Sequence, residues 1–367
     1  MIHSHINKYK VNEPLIEVKQ NSLRAWWLAA RPKTLFGAVS PVLAGAAVAW
    51  ATMTGAGMES TSWIIPSAFC MLFALAMQVD ANFINDYFDF KRGADSEERL
   101  GPERACTRGW ITPGAMKTGI IITTIIASVI GLPLIYYGGW AMVVVGVLCI
   151  LGAFLYTTKF SYTGLGDIMV ILYFGIVPVF FTWFVSTWLF FSNSKGGFTD
   201  EAFLGNMNPT AYYFLMGGIA LIAGFAVGFV VDNLLIVNNY RDRELDKKNG
   251  KNTMVVKLGA KAAEWIYLLN GCFGVAGALI AGSWLKRTLA SNVLENGLSG
   301  WRSFPFCLLI PLLFLPFVFS AHRKMVRINR GRQLNSVLGL TSRNILIFSL
   351  LAVAGIIITT LAVCYNR

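Results

Sequence analysis

Two short polar strings interrupt an otherwise apolar chain. The first string is residues 82–89 (NFINDYFD), and the second string is residues 238–246 (NNYRDRELD). Each string follows a long apolar run and precedes a basic segment that contains a glycine. Carboxylates are costly to keep at the end of a membrane helix, so two such strings predict a bound cation or a charged substrate.

If each string is helical, its Asn and Asp side chains form a row of potential oxygen ligands along one face. Residues three, four or seven positions apart share one face of a helix. The first row is Asn82, Asp86 and Asp89, and the second row is Asn238, Asp242 and Asp246. Mg²⁺ prefers oxygen ligands and is often held by one or two carboxylates together with substrate phosphates. The rows therefore predict a magnesium and diphosphate site, with Asp86, Asp89, Asp242 and Asp246 as its catalytic acidic residues.

Basic residues beside both strings fit a diphosphate. These candidate diphosphate-binding residues are Arg92, Arg104, Arg241, Lys247 and Lys251. Arginine and lysine next to bound phosphate oxygens neutralise their charge. If the diphosphate is attached to an allylic lipid, its departure creates a carbocation, and apolar membrane-embedded walls would keep water from that cation.

The remaining candidates line a pocket for the acceptor or the prenyl chain. An aromatic face attracts a cation, which makes the nearby tyrosines candidates. The pocket candidates are Asn85, Tyr87, Tyr156, Tyr162, Asn238, Asn239, Asp80 and Asp232. Asp80 and Asp232 lie deeper in their apolar runs, where they either form a satisfied buried pair or shape the acceptor pocket. Asp167 is a candidate N-cap of a helix.

Composition places the chain in a membrane. Its 367 residues are 55% hydrophobic and 14% charged, with a mean hydropathy of +0.58, which is outside the range of soluble proteins. Nine apolar runs are close to the length needed to cross a bilayer. They are residues 35–53, 62–87, 117–137, 141–156, 167–191, 211–236, 262–285, 304–320 and 343–363. We therefore predict an all-α polytopic membrane protein.

The basic residues predict how the chain is oriented in the lipid bilayer. All but five of the 31 Lys and Arg lie in the N-terminal arm or in connections after even-numbered helices. Cytoplasmic loops keep such an excess, which puts both strings on the cytoplasmic side. We predict a polar cytoplasmic arm at 1–24 and a single transmembrane domain at 25–367. The net charge of +12 reflects this topology and an attraction to anionic lipid or diphosphate, and a nucleic-acid partner is not implied.

The two strings are also similar to each other in sequence. Residues 85–89 (NDYFD) align without gaps on residues 238–242 (NNYRD), four helices later. Internal repeats of this kind are common in membrane proteins. This internal similarity predicts two pseudo-equivalent halves around a central cavity, with the strings facing each other.

The motifs resemble those of a known family. Asn82-x-x-Asn85-Asp86-Tyr-x-Asp89 with Gly93-x-Asp95, and the second string followed by Gly250-Lys251-x-Thr253, resemble the two aspartate-rich signatures of the UbiA superfamily of intramembrane prenyltransferases. Residues 30–35 (ARPKTL), 101–105 (GPERA) and 111–113 (ITP) are similar to the branch whose acceptor is 1,4-dihydroxy-2-naphthoate, in menaquinone biosynthesis. The resemblance extends over about residues 26–363.

The resemblance implies a nine-helix fold that holds Mg²⁺ and a polyprenyl diphosphate between the motifs, in the cell inner membrane. Asn82, Asp86, Asp89 and Asp95 would form the first ligand set, and Asp242 and Asp246 the second, while Lys251 and Arg104 would bind diphosphate oxygens. The implied reaction replaces the carboxylate of the naphthoate by a polyprenyl chain, releases CO₂ and diphosphate, and gives demethylmenaquinone.

Other functions fit parts of the pattern. Relatives that prenylate 4-hydroxybenzoate or homogentisate are one alternative, although the first of these has a shorter gap than the six residues from Asp89 to Asp95. A divalent-cation transporter is another, but it would place carboxylates near the membrane midplane. A CDP-alcohol phosphotransferase resembles D-x-x-D-G, and here Asp89 is followed by Phe90.

Overall fold

The computed structural model describes residues 18–58, 61–93, 100–193, 208–291 and 306–364. Within these ranges the regular secondary structure is helical, and no strand is present. The helices are α1 Leu23–Ala30, α2 Phe36–Gly55, α3 Ile64–Lys91, α4 Pro113–Gly138, α5 Ala141–Thr158, α6 Gly166–Ile171, α7 Val177–Asn193, α8 Pro209–Lys248, α9 Met254–Leu258, α10 Ala260–Ser291, α11 Phe306–Leu312, α12 Leu315–Ile328 and α13 Asn335–Cys364.

Nine membrane spans are present among the described residues, each long and apolar enough to cross a bilayer. They are formed by α2, α3, α4, α5, α6 with α7, α8, α10, α11 with α12, and α13. The prediction of an all-α, nine-helix membrane protein is confirmed. The predicted equivalence of two halves stays a prediction.

Both polar strings lie wholly within helix. The apolar run that predicted α8 ends at residue 236, but the helix continues to Lys248 because Arg, Glu, Leu and Lys in this stretch are good helix formers. The turn after α8 contains Gly250 at φ 68°, and the turn after α3 contains Gly93 at φ 64°. Glycine adopts this left-handed conformation without a steric penalty, so each string is followed by a sharp turn.

Proline explains two irregular crossings. The eighth predicted crossing divides into α11 and α12, where Pro316 in the first turn of α12 supplies no N–H for a continuous helix. In the fifth crossing, residues 172–176 form a π-helical turn just before Pro178. The N-cap position of α6 is Leu165, so the prediction that Asp167 is an N-cap is wrong. Asp167 instead lies in the first turn of the helix, and its side chain is buried.

Helix α1 lies outside the nine spans. Ser22 caps it by accepting a hydrogen bond from the Ala25 N–H. Leu23 is 90% exposed and Trp27 is 65% exposed, whereas the opposite face packs on α3 through a Trp26–Phe83 ring contact at 5.3 Å. An amphipathic helix that presents Leu and Trp outward suits the membrane interface.

Helix α8 contributes residues to the main buried core and packs closely against the fifth crossing. A Cβ atom on Gly228 would stand 2.8 Å from the Ile171 carbonyl oxygen, and one on Gly175 would collide with Gly228. Small residues let membrane helices approach this closely. The contact sets the register of α6 against α8, and it places Asp167 of α6 near Asp232 of α8.

Candidate active site

Asp86 holds the connection that follows α3. Its two carboxylate oxygens accept hydrogen bonds from the backbone N–H groups of Ala105, at 2.8 Å, and Cys106, at 2.9 Å. The side chain is buried. Hydrogen bonds to a charged acceptor are stronger than those between neutral groups. Asp86 therefore fixes residues 104–106 over the end of α3.

Asp89, one turn further along α3, pairs with a residue of the same connection. Arg104 donates to Asp89 at 2.6 Å, and both groups are largely buried. The guanidinium of Arg104 thus lies beside the first string, as predicted for a diphosphate-binding residue. Its binding of diphosphate stays a prediction.

The two asparagines of the first string contact different elements. Asn82 donates through Nδ2 to the Ala30 carbonyl at 2.9 Å and to Thr34 Oγ1 at 3.3 Å, which leaves its amide oxygen for another partner. Asn85 accepts through Oδ1 from Thr157 Oγ1 at 2.9 Å. Asn82 faces the segment between α1 and α2, whereas Asn85 ties α3 to α5.

In the second string, Arg241 forms hydrogen bonds with the adjacent residue, Asp242. It donates to both carboxylate oxygens of Asp242, at 2.8 Å and 2.6 Å, and to Asn335 Oδ1 at 2.8 Å. Asn335 in turn donates to the Leu100 carbonyl at 2.9 Å. The planar guanidinium suits such two-pronged binding. Asn335 therefore links the second string to the connection that follows the first string.

Asp246 contacts the turn that ends α8. The Lys251 N–H donates to the Asp246 carbonyl at 2.8 Å, and Lys251 Nζ lies 3.6 Å from Asp246 Oδ1. The left-handed Gly250 makes this return of the chain possible. Lys247 is exposed in the last turn of the same helix.

Tyr162 joins the basic ends of the two strings. The guanidinium carbon of Arg92 lies 4.6 Å from the centre of the Tyr162 ring, and Lys251 Nζ lies 5.8 Å from it. Arg92 also donates to the Thr157 and Thr158 carbonyls, at 3.0 Å and 2.6 Å. Both strings therefore lie at the same end of the helix bundle, as the sequence predicted.

Several predicted pocket residues face other partners. Asp80 accepts from the hydroxyls of Thr123 and Thr124, at 2.5 Å and 2.9 Å, and so joins α3 to α4. Tyr87 packs in the apolar cluster around α1, with an edge contact to Phe88 at 5.3 Å. Asn238 donates to the Leu234 carbonyl of its own helix. Asn239 is buried in α8. Asp95 lies outside the described residues.

A second group of polar residues lies deeper in the bundle. The Tyr156 hydroxyl is within electrostatic range of Asp89, Asp167 and Asp232. A Cβ atom on Gly166, beside Asp167, would stand 3.6 Å from the Tyr156 ring. Asp232 accepts from Asn270 Nδ2 at 2.9 Å. The structure thus brings Tyr156 and Asp232 toward the first string, and it adds Asp167 to them.

Sequence reasoning assigned no site role to Asn335, Thr157 or Asp167. Asn335 and Thr157 are single polar residues whose local sequence shows only a helix start and a helix end. Asp167 carried a signal, because it is a carboxylate at the edge of an apolar run, but a capping role accounted for it. Their partners come from distant parts of the chain, and the fold alone reveals them.

The donor chemistry at the strings suits a divalent cation. Asn82, Asp86, Asp89, Asp242 and Asp246 all offer oxygen atoms, which Mg²⁺ prefers. In the described part of the chain, no three His, Cys, Asp or Glu side chains form a compact metal cluster. Asp89 and Asp242 are each held by an arginine, so a cation would share these carboxylates with Arg104 and Arg241.

Fold and site together define an intramembrane enzyme with paired acidic and basic motifs at one end of a nine-helix bundle. Comparison with known proteins agrees. The model of the UbiA prenyltransferase family matches residues 38–338. The chain belongs to this family, and it is a prenyltransferase. Membership decides between the enzyme and transporter hypotheses in favour of the enzyme.

Relatives of the chain carry a consistent name. The 1,4-dihydroxy-2-naphthoate octaprenyltransferase of Haemophilus influenzae is 28% identical over 313 residues, or 81% of this chain and 85% of that protein. The protein of the same name from Escherichia coli is 27% identical over 354 residues, or 94% of this chain and 99% of that protein. The apo structure of a UbiA homolog from Aeropyrum pernix K1 has a TM-score of 0.56 at 12% identity, covering 87% of this chain and 97% of that one, and it shows the same fold.

Proposed function

We propose that this protein transfers a polyprenyl group from polyprenyl diphosphate to 1,4-dihydroxy-2-naphthoate, with loss of CO₂ and diphosphate, to give demethylmenaquinol, the quinol form of demethylmenaquinone. The observation that carries the proposal is the meeting of Arg92 and Lys251, one from each motif, on the ring of Tyr162. A diphosphate needs cations from more than one direction, and the two motifs supply them. The names of the relatives support the naphthoate as acceptor.

Donor binding rests on the basic residues. Arg92 is exposed and Lys251 is half-buried, whereas Arg104 and Arg241 are buried and are held by Asp89 and Asp242. Fixed cations stabilise charge that develops on a leaving group without having to reorganise. These residues would hold the diphosphate while its bond to the allylic carbon breaks.

A divalent cation fits the same place. Asn82, Asp86, Asp89, Asp242 and Asp246, with Asp95 outside the described residues, would hold Mg²⁺. When bound, this ion supplies charge neutralisation to the diphosphate. Activity that survives complete chelation of divalent ions would contradict this part of the proposal.

The membrane position follows from the same features. The strings lie at the end of the bundle that also carries most of the basic residues of the described chain, so we place this end in the cytoplasm and the protein in the cell inner membrane. A long isoprenoid tail can then stay among apolar helices while its diphosphate lies at the motif end. The apolar surroundings keep water from the allylic cation.

The acceptor is tested by competition. The protein in lipid nanodiscs is given Mg²⁺, an allylic polyprenyl diphosphate and equal amounts of 1,4-dihydroxy-2-naphthoate, 4-hydroxybenzoate and homogentisate. We expect a prenylated naphthoquinol as the main product, with one CO₂ released for each product when the naphthoate carboxyl carbon is labelled. Product from 4-hydroxybenzoate alone, or from homogentisate alone, would show a different acceptor for the same fold.

A further inference from the structure

Asp167 and Asp232 form a buried carboxylate pair that the binding of donor and metal leaves unexplained. Asp167 is 5% exposed and Asp232 is 1% exposed, and both lie where α6 packs against α8, since a Cβ atom on Gly166, beside Asp167, would stand 3.5 Å from Leu235, one turn from Asp232. Within the described chain, Oδ1 of each residue lacks a hydrogen-bond partner. Asp232 Oδ2 accepts from Asn270 Nδ2.

Asp80 shows what a purely structural carboxylate looks like in this bundle. It is as deeply buried as Asp232, but its two oxygens accept from two threonine hydroxyls and join α3 to α4. Buried polar groups are normally satisfied in this way, because an unpaired one costs free energy. The Asp167–Asp232 pair departs from this pattern, because one oxygen of each carboxylate has no hydrogen-bond partner among the described residues.

The surroundings of the pair identify the ligand. Tyr156 contacts the start of α6 and is within electrostatic range both of the pair and of Asp89 and Arg104. The pair therefore lies behind the proposed diphosphate site, deeper in the bundle. A molecule between the two places would meet a carboxylate pair, an aromatic ring and the reacting end of the donor. A hydroxylated aromatic ring suits all three.

We propose that Asp167 and Asp232 share one proton and act as the base and acid toward a ring hydroxyl of the aromatic acceptor. This inference rests on the proposed prenyl transfer. Two neighbouring buried carboxylates without a Lys or Arg ion pair among the described residues cannot both keep a negative charge at low cost. One proton between them leaves one carboxylate as an acceptor and one as a donor.

The reaction includes proton transfers that this carboxylate pair would carry out. As the ring forms a bond to the allylic carbon, the C–O bond to diphosphate breaks with its electron pair, and the ring hydroxyl gives its proton to the ionised carboxylate. The carboxyl group of the acceptor then leaves as CO₂, and its bonding electrons restore the aromatic ring. The pair returns the proton to the ring oxygen, so no oxidant or reductant is required.

The test compares Asp167→Asn and Asp232→Asn with Asp167→Glu in the full chain in nanodiscs. General acid–base catalysis contributes about 10²–10⁴-fold to a rate, so each Asn variant should lower kcat for prenylated product by about 100-fold or more. KM for the prenyl diphosphate should stay within about twofold. Asp167→Glu should recover part of the rate, and raising the pH until the acceptor hydroxyl ionises in solution should partly rescue both Asn variants.

A matched control is Glu264→Gln in α10, which neutralises a carboxylate that accepts from Tyr240 at 2.8 Å. It should leave kcat unchanged. The proposal is overturned if either Asn variant keeps kcat within threefold, or if higher pH restores nothing. An Asn variant with a lowered unfolding temperature and a raised donor KM would also overturn it, since that result means a structural role. If wild type does not prenylate the naphthoate, the proposed acceptor fails separately, and the pair is tested with the acceptor that reacts.

Discussion

Arg92 and Lys251 meet over one aromatic ring. Their cationic groups lie 4.6 Å and 5.8 Å from the centre of the Tyr162 ring, although one residue follows the first string and the other follows the second. The face of an aromatic ring attracts cations, so the Tyr162 ring is a contact shared by both positive charges. The two motifs thereby each supply a cation at this ring, where we propose that the diphosphate binds.

Replacing Tyr162 separates the role of its ring from that of its hydroxyl. Tyr162→Phe keeps the ring, and we expect its KM for prenyl diphosphate to stay within about twofold of wild type. Tyr162→Ala releases both cations, and because such contacts are worth about 0.5–2 kcal/mol, KM should rise by about 2- to 30-fold. Steady-state kinetics on both variants provides the measurement, and equal KM values for Ala and wild type would refute this role.

Asp86 is expected to act through the backbone it holds. Asp86→Asn replaces one acceptor oxygen by an NH₂ group that faces the backbone N–H of Ala105 or Cys106, so one hydrogen bond is lost. We predict faster amide hydrogen exchange in residues 104–106 together with at least a tenfold lower turnover. Asp89→Asn, which leaves these two N–H groups bonded, serves as the control and should leave exchange there close to that of wild type.

Arg241 should be intolerant of even a conservative change. Arg241→Lys retains the charge but cannot bond both oxygens of Asp242 and Asn335 together. We expect it to retain a minor part of the activity. Arg241→Ala should lose about 3 kcal/mol or more of unfolding free energy, because it leaves a largely buried carboxylate without its partner. Chemical denaturation in detergent measures this, and a stability equal to wild type would contradict the contact.

Helical spacing in the sequence predicted much of this site. It placed the polar side chains of each string on one helix face, while the distribution of Lys and Arg placed both strings at one end of the bundle. Residue type and position near the strings made Arg92, Lys251 and Tyr162 candidates. Helical spacing could not assign partners, because Asp86 bonds N–H groups 19 and 20 residues away and Arg241 bonds Asn335 94 residues away. Contacts between residues so far apart in the sequence depend on how the helices pack against one another. Residue spacing within one helix carries no information about that packing.

Helix ends and deep residues were harder for a related reason. Apolar residues are needed only within the lipid, so the apolar pattern predicted that α8 ends at residue 236. Backbone hydrogen bonds continue the helix to Lys248. Asp80 and Asp232 looked equivalent as single carboxylates in apolar runs. Only the neighbouring helices distinguish them, because Thr123 and Thr124 satisfy Asp80, while Asp232 meets Asp167.

Membrane orientation can be checked at two exposed ends. In a background without the native cysteines, Lys248→Cys at the end of α8 and Arg287→Cys near the far end of α10 are exposed to an impermeant thiol reagent. We predict that intact cells protect the cysteine at 248 and allow labelling of the cysteine at 287, since basic loops stay in the cytoplasm. Labelling in the reverse pattern would invert the orientation.

The central claim is that the two strings form one site for prenyl transfer. The most direct test assays Asp86→Ala and Asp242→Ala in membranes with Mg²⁺, an allylic diphosphate and dihydroxynaphthoate, after size-exclusion chromatography and thermal unfolding have verified folding. One carboxylate from each string is then absent in turn. The account predicts that neither folded variant forms prenylated product, and near-normal turnover in either one would contradict it.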